Sequence, residues 1–340
     1  MPDSQIDGVA KNNSGLAGLR ICLLTTQNLD MDPFPADDWP CDPRPFLPEA
    51  QWNYVAMKKK ASAADTVAGL VGSGKYDVFF NLCDGADGED KPGIEVVETL
   101  ERLRAPFTGA TSNYYEPTRE CMKEVCRQHG IATPLSVLAR NEDDVERAAE
   151  TLNFPLFVKH HNSYASVALS RASRVQSPAG LRRQARKFIS RYGASLIEEY
   201  IAGVECTVLV AENPDDADQP ITYVPLQYRF PEGESFKHEK IKWVDFDGLQ
   251  TFPVEDEALA DRLRSESARF FRGLDGAGFG RCDIRLSEDG TPHMLEINPN
   301  CGVYYPPSAP GSADLCLLQD PAGHEGFTRL LVRAALARHK

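Results

Sequence analysis

The sequence predicts an α/β unit built on a parallel sheet, followed by a mainly antiparallel α+β region. Between residues 19 and 107, apolar strands alternate with helical stretches, the pattern of a parallel sheet with helical crossovers. Beyond residue 117, short apolar strands follow one another around capped helices, which suits antiparallel pairing. A length of 340 residues allows two or three packed units, placed here at 1–117, 118–200 and 201–340.

Residues 1–17 lack periodicity and read as a loose tail before a first strand at 19–25. The stretch 30–48 holds six prolines, with Phe34, Trp39 and Phe46 for packing. It is predicted to be a long ordered loop, either a substrate cover or an insertion. A small-residue helix (61–72), a buried strand (76–82), a helix (92–104) and a short strand near Phe107 follow. The acidic loop CDGADGED (83–90) lies past a strand end, where ligands of parallel sheets gather.

Thr118 caps a helix that stops at Gly130, Asn141 caps a second helix, and Ser177-Pro178 opens a third. The third carries Arg182, Arg183, Arg186, Lys187 and Arg191 on one face, read as a solvated surface. Strands are expected in PLFVKHH, SVALSRA, SLIEEYI, ECTVLVA and ITYVPLQY.

The net charge of −13 opposes binding to a polyanion, so nucleic acid is not an expected partner. No apolar run approaches the ~18 residues of a membrane helix, and the polar N-terminus lacks the pattern of a secretory signal. Nine scattered cysteines without a C-x-x-C pair read as reduced thiols, and a cytoplasmic location is expected. A homodimer is left open.

The chemistry concentrates in GRCDIRLSEDGTPHMLEINPN, residues 280–300. With Asp289-Gly290 as a two-residue turn, Asp283 opposes Glu296 and Arg281 opposes Asn298. Arg281, Asp283, Met294, Glu296 and Asn298 then share one face, with Cys282, Ile284, Leu295 and Ile297 in a core. Two opposed carboxylates repel unless compensated. Asp283, Glu296 and the Asn298 amide form an oxygen-only set suited to Mg²⁺, with Mn²⁺ as the alternative; solvated acids, or acids paired with Arg281 and Arg285, are the structural alternative. On the metal reading, removing Glu296 relieves a repulsion and leaves the metal-free fold no less stable.

Lys159 sits mid-strand among apolar residues, where an ammonium needs an anionic partner, and a phosphate would serve. His160 and His161 are consecutive strand residues on opposite faces, a poor chelate. Glu198, Glu199 and Glu205 flank a tight turn and offer acceptors for ribose hydroxyls.

Taken in order, the strand lysine with its Ser-rich loop, E-E-Y-I-x-G-x-E, R-x-D and E-x-N resemble the ATP-grasp superfamily, in its D-alanine–D-alanine ligase branch, over residues 76–300. The sequence D-G-x-x-G-E-D at 84–90 is similar to the family's H-G-x-x-G-E-D. The resemblance implies two α+β subdomains clamping ATP beside an N-terminal α/β domain. It implies ATP contacts at Arg119, Lys159, Ser166, Glu198, Glu199, Tyr200, Ile201, Glu205 and Lys240, with Lys237 and Lys242 competing for the last role. Asp283, Glu296 and Asn298 match the magnesium ligands, Arg281 and Lys240 the catalytic cations, and Asp84, Glu89, Arg281, Gly302 and Tyr304 the substrate positions.

The implied activity is ATP-dependent joining of an amino acid or peptide carboxylate to an amine through an acylphosphate. A nucleotide-binding regulator or acyl kinase on the same fold is the alternative, and a true D-alanine–D-alanine ligase a further one. The family's glutamate after the first strand is missing, with none before Glu49; Asp84 stands at the family's histidine, and Tyr304 and Tyr305 enter the acceptor region. The loop NSYASVALS lacks glycine. These departures predict a different substrate, unless Asp30 or Asp32 replaces the glutamate.

Overall fold

Alternation along the first strand decides how the N-terminal sheet is buried. In β1 (Arg20–Thr25), Ile21 and Leu23 enter one apolar core while Cys22 and Leu24 enter another. β3 (Val78–Asn81) divides likewise, Phe79 to one side and Val78 and Phe80 to the other. Covering both faces lets a parallel strand be apolar throughout. The computed structural model describes residues 15–30, 40–86, 88–162, 168–236 and 249–339.

The parallel sheet has the order β2-β1-β3 and includes a strand the sequence reading missed, β2 (Gln51–Ala56). The expected strand near Phe107 is a single parallel bridge to Phe79. Helices α1 (Lys60–Gly72) and α2 (Ile94–Arg102) form the crossovers. The described end of the proline-rich segment is anchored: Leu47 is fully buried, Trp52 donates to its carbonyl at 2.9 Å, and Phe46 stacks on His324. Phe34 and Trp39 lie outside the described residues.

Three predicted caps form locally. Thr118 accepts from the Cys121 N–H to open α3 (Arg119–Gln128), Asn141 from Asp144 to open α4 (Glu142–Thr151), and Ser177 from Gly180 to open α5 (Pro178–Tyr192). Strands β4 (Ser136–Ala139), β5 (Leu156–His160), β6 (Arg174–Val175) and β7 (Ser195–Glu199) pair antiparallel in the order β4-β7-β5-β6. This sheet packs against α4 and α5 in a core of its own. On the opposite face of those helices, Arg182 and Arg186 pair with Glu146 and Glu142, as a solvated surface would. The strand expected over SVALSRA is not formed in its described part, where Arg171–Ser173 is a 3-10 helix and pairing begins at Arg174.

A six-stranded antiparallel sheet follows: β8 (Glu205–Ala211), β9 (Ile221–Thr222), β10 (Leu226–Arg229), β11 (Gln250–Pro253), β12 (Phe279–Leu286) and β13 (Pro292–Pro299). Its path is β11-β10-β8-β12-β13, with β9 beside β8. ITYVPLQY is split between β9 and β10 around Pro225, which has no N–H to donate. Helix α6 (Glu257–Gly273) buries Leu263, Phe270 and Phe271 in the same core as Cys22 and Phe79. α7 (Ser312–Leu318) and α8 (Gly323–Ala337) close the other core. The N-terminal sheet thus shares both its cores with the C-terminal region. α3, expected to open the central unit, also sends Met122, Val125 and Cys126 into the first of them. None of the nine cysteines is in a disulfide, and among the described residues no helix is long and apolar enough to cross a membrane.

Candidate active site

Lys159 of β5 points at β7, the strand paired with it. Its Nζ lies 2.7 Å from Glu198 Oε2, and Lys123 Nζ lies 2.7 Å from the other oxygen. Lys123 also donates to the Pro134 carbonyl at 3.0 Å. Burial pushes the Glu198 carboxyl up, but the two lysines outweigh it and hold the pKa at about 2. Burial also lowers the Lys159 pKa, opposed by Glu198. Sequence reasoning assigned Glu198 to the adenine edge; its side chain is buried and serves two lysines. Lys123 was missed, though its place one turn after Arg119 puts both on one helix face.

The hairpin β12–β13 aligns Arg281 with Asn298 and Asp283 with Glu296, as expected, but by another route. Ser287 and Thr291 flank a three-residue loop in which Gly290 has φ +79°, so Leu286 faces Pro292 and Ile284 faces Met294. A register shift between Asp283 and Ile284, with Leu295 as the extra residue, restores the pairing beyond it. Met294 therefore lies in the core, 1% exposed, and not on the acidic face. Leu295, expected in the core, is partly exposed.

Both acids have arginine partners. Arg281 donates to Asp283 through Nε at 3.1 Å and Nη2 at 2.8 Å, and Asp283 also accepts from Thr207 and from Asn298 Nδ2. Burial works against the Arg281 charge, but Asp283 outweighs it and raises the pKa well above the usual arginine value. Glu296 Oε2 accepts from Arg119 Nε at 3.0 Å and Nη2 at 2.6 Å, while Arg119 Nη1 holds the His160 carbonyl. Burial raises the Glu296 pKa, yet Arg119 and Lys159 bring it below the usual range. Glu296 thus belongs to Arg119, and Arg285, the other arginine weighed for the acids, is engaged elsewhere.

The remaining nucleotide candidates surround the linker after β7. Glu199 Oε1 accepts from the Asn153 N–H and Nδ2, each at 2.8 Å, so its side chain holds a turn. The Tyr200 hydroxyl donates to the Ser235 carbonyl at 3.1 Å. The Ile201 carbonyl accepts from Arg285 at 2.7 Å, and Glu205, buried, is 3.4 Å from the same guanidinium. Phe157, Tyr200 and Phe236 pack their rings here. Ser166, Lys237, Lys240 and Lys242 lie outside the described residues.

At the substrate end, Asp84 is exposed beyond β3, and Glu89 accepts from the Ala86 N–H at 3.2 Å. Tyr304, expected to wall the acceptor pocket, is instead 3% exposed and bonded to Thr328 at 2.9 Å. Its partly exposed neighbour Tyr305 covers Gly302, where an added Cβ would meet Tyr305 Oη at 2.4 Å. The rings of His160 and His161 stack at 4.7 Å, contrary to the opposite faces expected, because β5 ends at His160.

Among the described residues no group of three or more His, Cys, Asp or Glu forms a metal cluster. The candidate magnesium set has two carboxylates and an amide. Arg119 occupies only Oε2 of Glu296, and Asn298 uses its nitrogen on Asp283. Glu296 Oε1 and Asn298 Oδ1 are left over, while both Asp283 oxygens accept from Arg281, Thr207 and Asn298. The donors are all oxygen and their type fits a hard divalent cation, which would compete with those contacts at Asp283.

A family model described as D-ala D-ala ligase C-terminus matches residues 127–306. The D-alanine–D-alanine ligase of Chromohalobacter salexigens is 28% identical over 262 residues, 76% of each chain. The crystal structure of a D-alanine–D-alanine ligase from Bacillus anthracis complexed with ATP aligns with a TM-score of 0.66 at 18% identity, covering 95% of this chain and 98% of that one. VanG D-Ala:D-Ser ligase from Enterococcus faecalis aligns with a TM-score of 0.67 at 13% identity, covering 94% and 99%. The fold is that of the ATP-grasp ligases. With the family model spanning more than half its length, the chain belongs to the D-alanine–D-alanine ligase family and is an ATP-dependent, ADP-forming ligase of carbon–nitrogen bonds.

Proposed function

We propose that this ligase joins two amino acids, or an amino acid and a small peptide, and that its preferred pair is not D-alanine with D-alanine. The carboxylate of the first substrate attacks the ATP γ-phosphate to give an acylphosphate and ADP. The amine of the second substrate then adds to that carbonyl, and phosphate leaves as the amide forms. Lys159 faces the phosphates, with the Tyr200–Ile201 linker at the adenine edge and Glu205 at the ribose. Arg281 steadies the oxyanion of the tetrahedral intermediate, its donors held in place by Asp283. Asp283, Glu296 and Asn298 would hold magnesium, which when bound screens the phosphate charge.

One observation supports the departure from D-alanine: of the two aspartates that could replace the family's missing glutamate, the described one is committed elsewhere. Asp30 accepts from the Tyr54 hydroxyl, and Glu49 is paired with Arg329; Asp32 lies outside the described residues. A site built to hold a polar group discriminates strongly when that contact is lost. Phosphate release should therefore be measured across a panel of amino acids and dipeptides, with mass spectrometry of the products. D-alanine alone should give a kcat/KM at least about tenfold below the best pair. D-alanine as the best substrate would sink the reading.

A further inference from the structure

Arg285 spends its whole hydrogen-bonding capacity on the linker between β7 and β8 and what surrounds it. A guanidinium has five N–H donors. Here Nε reaches the Ile201 carbonyl at 2.7 Å, Nη1 reaches the Ser235 carbonyl at 2.9 Å and Glu205 Oε2 at 3.4 Å, and Nη2 reaches the Gly203 carbonyl at 2.8 Å and the Tyr200 hydroxyl at 3.2 Å. Arg285 is 3% exposed. Its guanidinium lies 4.9 Å from the centre of the Tyr200 ring, and that of Arg174 lies 4.3 Å from it.

The linker is also pressed against β12. Gly203 has φ +127°, and a Cβ there would meet the Leu286 carbonyl at 2.1 Å, while Leu286 donates to the Val204 carbonyl at 2.8 Å. Upstream, the Glu199 N–H is bound to Leu135 and the Tyr200 N–H to Pro155. Among the described residues the Ile201 N–H has no acceptor. The side chain of the residue before it and the carbonyl just after it are both held by Arg285.

We propose that Arg285 is a positioning residue for nucleobase selection. By fixing the Tyr200 ring and the Ile201 carbonyl, it aims the Ile201 N–H at the edge of a purine, which must then present an acceptor there. Adenine N1 is an acceptor, whereas the corresponding nitrogen of guanine carries a hydrogen. This inference rests on the linker being the nucleotide site of the proposed function. Lysine keeps the charge but offers one nitrogen, so it cannot span acceptors in three directions.

Calorimetric titration of the full-length protein with Mg-ATP and Mg-GTP, together with melting curves, tests the idea. Arg285→Lys should raise the Kd for ATP by about tenfold and narrow the ATP-to-GTP ratio by at least about threefold, with kcat at saturating ATP falling less than about threefold. Tyr200→Phe, which removes only the bridging hydroxyl, should raise the ATP Kd by about threefold at an unchanged melting temperature. A folded Arg285→Lys protein with the wild-type ratio overturns the proposal, because a merely structural brace alters stability without altering base choice. If Arg285→Lys does not fold, a wild-type Kd and ratio in Tyr200→Phe overturns it. Absence of ATP binding by the unmodified protein overturns the nucleotide reading as well, and that outcome is separable because it needs no variant.

Discussion

The two sheets that carry the candidate site neutralise charge in opposite ways. On β5 and β7 one carboxylate, Glu198, serves two lysines; on the β12–β13 hairpin two carboxylates have an arginine each. The first sheet carries a surplus cation and the second is balanced. Lys159 can turn to a phosphate while Lys123 still compensates Glu198. On the hairpin the guanidiniums are planar, permanently charged and bound through two nitrogens, so they orient the carboxylates, Arg281 taking both oxygens of Asp283 and Arg119 leaving Glu296 Oε1 over. Excess positive charge suits a polyanionic substrate, and oriented carboxylates suit a hard cation.

Removing the shared acid tests this contrast most severely. Glu198→Gln leaves one buried ammonium group, Lys159, and one half-buried one, Lys123, without their shared countercharge and should cost about 3–5 kcal/mol in urea unfolding at pH 7. Less than about 1 kcal/mol would mean that the lysines are solvated. Because folding lowers the Glu198 pKa from 4.5 to about 2, its contribution is present above pH ~4.5 and is lost as pH falls through about 2. The gap between wild type and Glu198→Gln should therefore close by about 3 kcal/mol between pH 6 and pH 2. A pH-independent gap would contradict the charge account.

Lys159→Met removes one of two lysines, and Lys123 remains on Glu198. ATP affinity should fall by about 30-fold, or 2 kcal/mol, with a smaller change in stability. Unchanged affinity by calorimetry would remove Lys159 from the phosphate site. The hairpin offers the mildest test. The sequence suggested that losing Glu296 would relieve a repulsion, but its bonds to Arg119 reverse that expectation. Glu296→Gln should lower metal-free stability by about 1 kcal/mol while abolishing magnesium-dependent turnover. A rise in melting temperature would show that repulsion from Asp283 dominates after all.

What was legible in the sequence was short in range. The caps at Thr118, Asn141 and Ser177 could be read because each side chain and the N–H it accepts lie three residues apart. Lys159 could be recognised as a costly charge because its neighbours in the strand are apolar. The pairing of Asp283 with Glu296 came out right only because two departures cancelled: a loop one residue longer than expected and a bulge at Leu295. Met294 exposes the difference, since it fell on the wrong face.

The sequence by itself determined the change from parallel to antiparallel pairing, the capped helices, the acidic hairpin and the need for a partner at Lys159. Only the tertiary structure decided which partner each charge received: Lys123 and Lys159 for Glu198, Arg119 for Glu296, and the Tyr200–Val204 linker for Arg285. It also placed Tyr304 in the core and gave β2 its place beside β1. The physical reason is one of range. A cap or an alternation is satisfied within a few residues, whereas a buried charge is expensive wherever it stands and takes whichever opposite charge the packed chain brings within about 3 Å, 75 residues away for Glu198 and Lys123 and 177 for Glu296 and Arg119.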